Sequence, residues 1–248
     1  MKNNSEFIYT NIDSGVCTIT MDRIEKRNAF NPQFVVELCK AWDVVDNDDQ
    51  IRVAVLKSSD NSVFSAGADL KELIPLLRNE RSPQNEFDEL LKDVEYFRKL
   101  FRKDKIRTKP LIGVASGYCI AGGFELLLCC DFILIEENTI VGFPESTIGL
   151  LPVGGGVTRI GQAVPKPKAL DILIDSKNIS VEELKNLGIV NDIFKLENIE
   201  NIEQKYIDKI LNSTPKSVEI LMKNIDKIGD LSKNESFLLE EEMHNDLL

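Results

Sequence analysis

The chain has 248 residues, enough for one large domain or for a core with an appendage. Its 43% hydrophobic content is that of a globular protein and sets disorder aside. A formal net charge of -11 disfavours non-specific nucleic-acid binding, which depends on neutralising phosphates, but leaves room for a small anion held by a local positive cluster.

No apolar run is long enough to span a bilayer. The opening MKNNSEFIYTNI lacks the apolar stretch and small-residue cleavage site of a secretory leader. A cytoplasmic location without a membrane partner is the expectation. The cysteines are Cys17, Cys39, Cys119, Cys129 and Cys130. They are odd in number, show no CxxC spacing and lie mostly among apolar residues, which reads as buried, reduced thiols. The only histidine in the sequence, His244, stands four residues from its end. Ser-His-Asp and Cys-His sites would have to reach that tail, and histidine zinc sites are set aside on the same ground, so no metal is expected.

Phe7 to Asn11 and Val16 to Met21 alternate in hydropathy around a turn at Asp13-Ser14-Gly15, the pattern of a hairpin. Asn31-Pro32 opens a helix towards Val45, with Phe34, Val35, Leu38, Trp42 and Val45 at helical spacing. Val53 to Leu56 is a short strand buried on both faces. SAGAD follows, then helix from about Leu70. The charged stretch 78–109 is read as a mobile segment plus one amphipathic helix, a place for control of substrate size. Leu111 to Ala115 is a strand, followed by a glycine-rich turn and a helix from Gly122. Phe132 to Ile135 is another strand. From Lys166 the pattern is mainly helical: Pro167 to Ile174, Ser180 to Leu187 with capping-box spacing to Glu183, Ile199 to Leu211, Ser217 to Ile228, and Ser232 onward. The reading is an α/β core over residues 1–195 with a helical extension over 196–248.

Three glycine-rich turns, SAGAD (65–69), AGGFE (121–125) and PVGGG (152–156), each follow a strand and lead to a helix. Glycine lets a ligand approach the main chain, and helix N-terminal amides are oriented towards an anion, so two such turns side by side can offer two N–H groups to one developing oxyanion. Each turn alone also reads as ordinary punctuation before a helix. None has the GxGxxG or GxxxxGK[ST] spacing of a nucleotide site.

Glu125 in GGFELLL and Glu145 in GFPES stand in apolar company, although carboxylates are rarely buried without a partner. On pattern alone Glu125 is equally a surface helix residue or the partner of an arginine, and Glu145 equally a solvated loop residue.

Taken together, FSAGADLKEL, GYCIAGGFELLLCCD and GFPESTIGLLPVGGGVTRIG resemble the crotonase (enoyl-CoA hydratase/isomerase) superfamily in order and spacing. MDRIEKRNAFN is similar to its opening motif, and ALDILIDSKNISVEELKNLGIVNDI to the segment after its core. The resemblance implies a crotonase-like spiral of ββα turns with a helical C-terminal extension, assembled as a homotrimer or a dimer of trimers. It implies an acyl-CoA substrate, with coenzyme A as part of the thioester and no separate cofactor. Carried over by position, it implies main-chain amides of Ala68 and Gly122 around the thioester oxygen. Glu125 is then the residue that activates water, and Glu145 the one that handles the α-proton. Ala66, Gly67, Asp69, Leu70, Ala121, Pro152 and Val153 are implied to border the ligand, with Lys26 and Arg27 as partners for the phosphates or as solvated surface charges.

Enoyl-CoA hydratase is the implied activity. The alternatives are isomerisation or dehydration of a CoA- or acyl-carrier-linked intermediate, or a non-catalytic acyl-CoA- or RNA-binding relative. Three departures from the family pattern stand out. Ala121 replaces a glycine and, being small, is expected to matter little. Val153 also replaces a glycine and cannot easily take a positive φ. The sequence ends at EEEMHNDLL, short of a last helix that in many members contributes to coenzyme A binding and assembly.

Overall fold

The computed structural model describes residues 5–104, 107–174 and 179–245. Strands β1 (Ile8–Asp13) and β2 (Val16–Met21) pair antiparallel across a turn in which Ser14 and Gly15 both take positive φ, the backbone a tight twisted hairpin needs. Helix α1 (Pro32–Asn47) begins as expected: the Asn31 side chain accepts a hydrogen bond from the Phe34 amide at 2.9 Å, and Pro32 takes the first helical position.

One plan then repeats along the chain. β3 (Val53–Ser58) is followed by β4 (Val63–Ser65) and α2 (Leu73–Leu77). After α3 (Glu86–Leu90) and α4 (Glu95–Leu100) come β5 (Leu111–Ala115), β6 (Tyr118–Ile120) and α5 (Gly122–Leu127). Next are β7 (Phe132–Glu136), β8 (Ile140–Gly142), a 3-10 turn over Glu145–Ile148 and α6 (Gly156–Ala163). α7 (Lys166–Ile174) and α8 (Val181–Asn186) precede β9 (Asp192–Phe194). The long strands form one sheet in the order β1-β2-β3-β5-β7-β9, and the short ones a second, β4-β6-β8. Pairing is parallel in both sheets beyond the first hairpin, so each ββα unit climbs one step along both sheets.

Alternation along the parallel strands feeds two cores. Ala54, Leu56, Leu111 and Ala115 pack in the main core with Phe34, Leu38, Trp42 and Phe124. Val53, Val55, Ile112, Val114 and Leu134 instead join Tyr206, Ile207 and Ile210 of α9 (Ile199–Leu211). Both faces of β3 and β5 are therefore covered, which is why they read as unbroken apolar runs. Beyond α9, α10 (Pro215–Ile228) and α11 (Lys233–Asn245) pack on each other and leave Leu221, Ile225, Phe237 and Leu238 exposed.

Stretch 78–109 departs from the expectation of one amphipathic helix; residues 105 and 106 lie outside the described residues. Asn85 accepts from the Asp88 amide at 2.9 Å and Asp93 from the Glu95 amide at 3.0 Å, and these local bonds divide the periodic stretch into α3 and α4. The segment is bolted to α1 by polar contacts. Trp42 Nε1 donates to the Leu100 carbonyl at 3.3 Å, and the Arg102 guanidinium grips both carboxylate oxygens of Asp46 at 2.7 Å.

Candidate active site

The chain leaving β4 and the chain leaving β6 bend towards one another. Phe30 and Ala68 form a parallel bridge, in which the Phe30 amide donates to the Gly67 carbonyl (2.7 Å) and the Asp69 amide to the Phe30 carbonyl (3.0 Å). This pairing uses the groups on either side of Ala68 and turns its own N–H the other way. Gly122 is the first residue of α5, where an amide has no partner inside the helix. Neither amide donates to an acceptor among the described residues. The two backbones are in close contact. Gly67 sits at φ +83°, and a Cβ on it would lie 2.7 Å from the Gly122 nitrogen.

Ala121 matters more than its size implies. It keeps a glycine-like backbone, φ 52° and ψ -133°, with a Cβ attached. Its amide donates to the Gly142 carbonyl at 2.9 Å and its carbonyl receives the Glu125 amide at 3.1 Å, which fixes the strained peptide and the direction of the Gly122 N–H that follows. Val153, by contrast, does not take a positive φ. Its amide donates to the Leu151 carbonyl at 2.8 Å and the residue is 72% exposed.

Glu125 lies in the first turn of α5, and Glu145 opens the 3-10 turn after β8. Both are buried. The rings of Phe124 and Phe143 pack 4.9 Å apart and join the two segments from which these carboxylates project. Glu125 Oε1 accepts from the Gly156 amide at 2.8 Å. Burial, strengthened by the charge of Glu145 nearby, pushes the Glu125 carboxyl up to about 7 against the pull of the Gly156 and Gly154 amides and of Lys103. The first-turn position that should favour its charge is therefore outweighed by desolvation. Burial raises Glu145 as well, and its Oε2 is buried without a hydrogen-bond partner.

Both carboxylates line one cavity of about 500 Å³. Ala66, Ala68, Leu70, Ala121, Gly122 and Val153 line it too. Gly67, Asp69 and Pro152 do not. Asp69 instead holds the loop from behind: it pairs with the buried Arg23 at 2.9 Å and accepts from the Lys71 and Glu72 amides. Lys26 and Arg27 are exposed and outside the lining, with the Arg27 guanidinium 5.5 Å over the Tyr118 ring. Sequence reasoning missed the apolar wall given by Phe30, Ile74, Leu77, Phe97, Leu100 and Phe101, and also Arg78, the one cation on the lining among the described residues. Among those residues no group of three acidic, histidine or cysteine side chains stands ready for a metal ion. Among the described residues no helix is long and apolar enough to cross a membrane.

Two open amides, two buried carboxylates and an apolar cavity on a ββα spiral define a class of protein, and comparison with known chains agrees. The family model for enoyl-CoA hydratase/isomerase matches residues 11–248. The chain is 29% identical over 225 residues to an enoyl-CoA hydratase of Mycobacterium tuberculosis, covering 90% of this chain and 81% of that one. It is 27% identical over 233 residues to a carnitinyl-CoA dehydratase of Escherichia coli O157:H7, covering 94% and 85% respectively. A crystal structure of an enoyl-CoA hydratase from Mycobacterium tuberculosis superposes with a TM-score of 0.79 at 26% identity, covering 95% of this chain and 88% of that chain. The chain belongs to the enoyl-CoA hydratase/isomerase family and has the crotonase fold.

Proposed function

We propose that the protein is an enoyl-CoA hydratase that adds water reversibly, and in the syn sense, to a 2-enoyl-CoA thioester. The observation that carries this reading is the placement of Glu125 and Glu145, both buried and both raised in pKa, on one apolar cavity beside the open amides of Ala68 and Gly122. The two N–H groups receive the thioester oxygen as negative charge moves onto it. Ionised Glu125 takes a proton from water as the water oxygen bonds the β-carbon, and protonated Glu145 gives a proton to the α-carbon. Burial that raises both carboxyls lets one site hold a base and an acid together. Solvent exchange then returns the proton from Glu125 and reprotonates Glu145.

Coenzyme A enters as part of the substrate, bordered by Ala66, Leu70, Ala121 and Val153, with Lys26 and Arg27 near its phosphates outside the cavity. Residues 196–248 serve assembly into a trimer or a dimer of trimers in the cytoplasm. The exposed apolar side chains of α10 and α11 support that assembly role.

The same residues run backwards as a dehydratase, a direction favoured by the similarity to a relative named carnitinyl-CoA dehydratase. The test is incubation with a short 2-enoyl-CoA while the conjugated enoyl absorbance is followed. Its decay is expected. Tight acyl-CoA binding with no turnover in either direction overturns the enzyme reading.

A further inference from the structure

The carboxylate of Glu125 is held by a turn that is itself held from behind. Residues 153–156 bring the Gly156 amide onto Glu125 Oε1 at 2.8 Å and set the Gly154 amide near enough to draw the carboxyl's pKa down. The carbonyls on the other side of that turn are gripped by two cations. Arg159 reaches back from α6, one guanidinium nitrogen donating to the Gly154 carbonyl at 3.2 Å and the other to the Phe101 carbonyl at 2.7 Å. Lys103 Nζ donates to the Val153 carbonyl at 2.8 Å. Gly155 is shaped around this grip: it takes φ +120°, and a Cβ there would fall 2.0 Å from Arg159 Nη1. Phe101 joins the same knot, because its carbonyl also receives the Cys129 thiol at 3.2 Å and that thiol lies 3.2 Å from the Glu125 carbonyl.

We propose that Arg159, assisted by Lys103, is a positioning residue for the Glu125 carboxylate: by pinning the 153–154 carbonyls to the chain that follows α4, it aims the Gly154 and Gly156 amides at that carboxylate. The inference rests on the hydratase reading for its kinetic consequence but not for its structural one. It also accounts for a valine where the family has a glycine. The turn does not need a positive φ at 153, because its shape is set from outside by the cation on the Val153 carbonyl.

Four charged or titratable groups surround Glu125. They are Glu145 on the 3-10 turn, Lys103 after α4, Arg159 on α6 and Cys129 just past the end of α5. Glu145 raises the Glu125 pKa, and the turn amides and Lys103 lower it. Loosening the turn therefore moves the titration of Glu125 upward, and so does removing the Lys103 charge.

The experiment compares the full chain with Arg159→Lys, which retains charge but cannot bridge both carbonyls, and with the surface variant Lys103→Met. Two quantities are measured. One is kcat and KM for a short 2-enoyl-CoA against pH. The other is the carboxyl titration of Glu125 by 13C NMR, assigned with Glu125→Gln. For Arg159→Lys, kcat falls on the order of tenfold with KM nearly unchanged, as expected when geometry rather than binding is lost. The acid limb of the rate profile and the Glu125 titration both move to higher pH. Lys103→Met shifts both in the same direction by less, at an unchanged melting temperature. An Arg159→Lys protein that melts lower but titrates Glu125 as the parent does overturns the proposal, and so does unaltered kcat. If the parent shows no hydration yet the Glu125 titration shifts in both variants, the hydratase reading falls and the positioning role stands.

Discussion

Burying Glu125 should weaken the fold, and the size of the effect follows from its titration. In the folded protein the carboxyl is pushed from 4.5 up to about 7, by burial first and by Glu145 next. Between those values the unfolded chain has lost the proton and the folded protein still holds it. Folding stability therefore falls as pH rises through that window and levels off above about 7. One pKa unit corresponds to ~1.4 kcal/mol, so the interval amounts to about 3 kcal/mol. Glu125→Gln removes the charge, keeps the shape and leaves an amide oxygen to accept from the Gly156 N–H. At about pH 8.5 the variant should be more stable than the parent by about 3 kcal/mol, a rise in Tm of roughly 6–12 °C for a chain of this size. At about pH 5 the two should melt close together. Thermal melts by circular dichroism at both pH values decide the matter. A gain of equal size at both would trace to packing, and no gain at pH 8.5 would refute the argument that an ionised Glu125 is held against its preference. Stability gained by removing a site carboxylate is the usual mark of a group kept for chemistry.

The remaining expectations concern the same corner of the molecule. Glu125→Gln and Glu145→Gln should each lower hydration on the order of 10²- to 10⁴-fold while leaving acyl-CoA affinity within a few-fold, measured by enoyl absorbance and calorimetry; near-normal turnover in either contradicts its assigned role. In the parent, kcat/KM should rise as pH passes through about 7 and Glu125 ionises, and fall again at higher pH as Glu145 loses the proton it gives to the α-carbon. Gly67→Ala forces a methyl group against the Gly122 nitrogen at a residue with φ +83°. It should reduce kcat/KM on the order of 10²-fold or more, as loss of an oxyanion donor does elsewhere. Ala121→Gly relieves a positive φ and should raise stability on the order of 1 kcal/mol, read from the shift in a urea midpoint.

Much of the scaffold was legible. The hairpin, α1, the long parallel strands and α9 announce themselves by period, caps or unbroken apolar runs. The second sheet was not, because three-residue strands such as Val63–Ser65 and Ile140–Gly142 are too short to express any period. The carboxylates were legible because a charge among apolar neighbours is anomalous wherever it occurs. The wall of the cavity was not: Phe30, Ile74 and Phe101 look like ordinary core residues until the fold brings their segments to one side of the same space. Arg159 and Lys103 were equally silent, since their partners are backbone carbonyls, and a carbonyl leaves no trace in the identity of its residue.

The stretch from α2 to residue 104 contributes no strand to either sheet, yet it supplies Phe97, Leu100 and Phe101 to the cavity. It hangs on α1 through a few side-chain bolts, Trp42 to Leu100 and Asp46 to Arg102 among them. The amide corner and the two glutamates, in contrast, hang on the sheets. The molecule is thus split into an inherited workbench and an exchangeable jaw. Recutting the jaw to grip a different tail leaves the amide corner in register so long as the Phe101 carbonyl and Lys103, which hold the 153–156 turn behind Glu125, are kept.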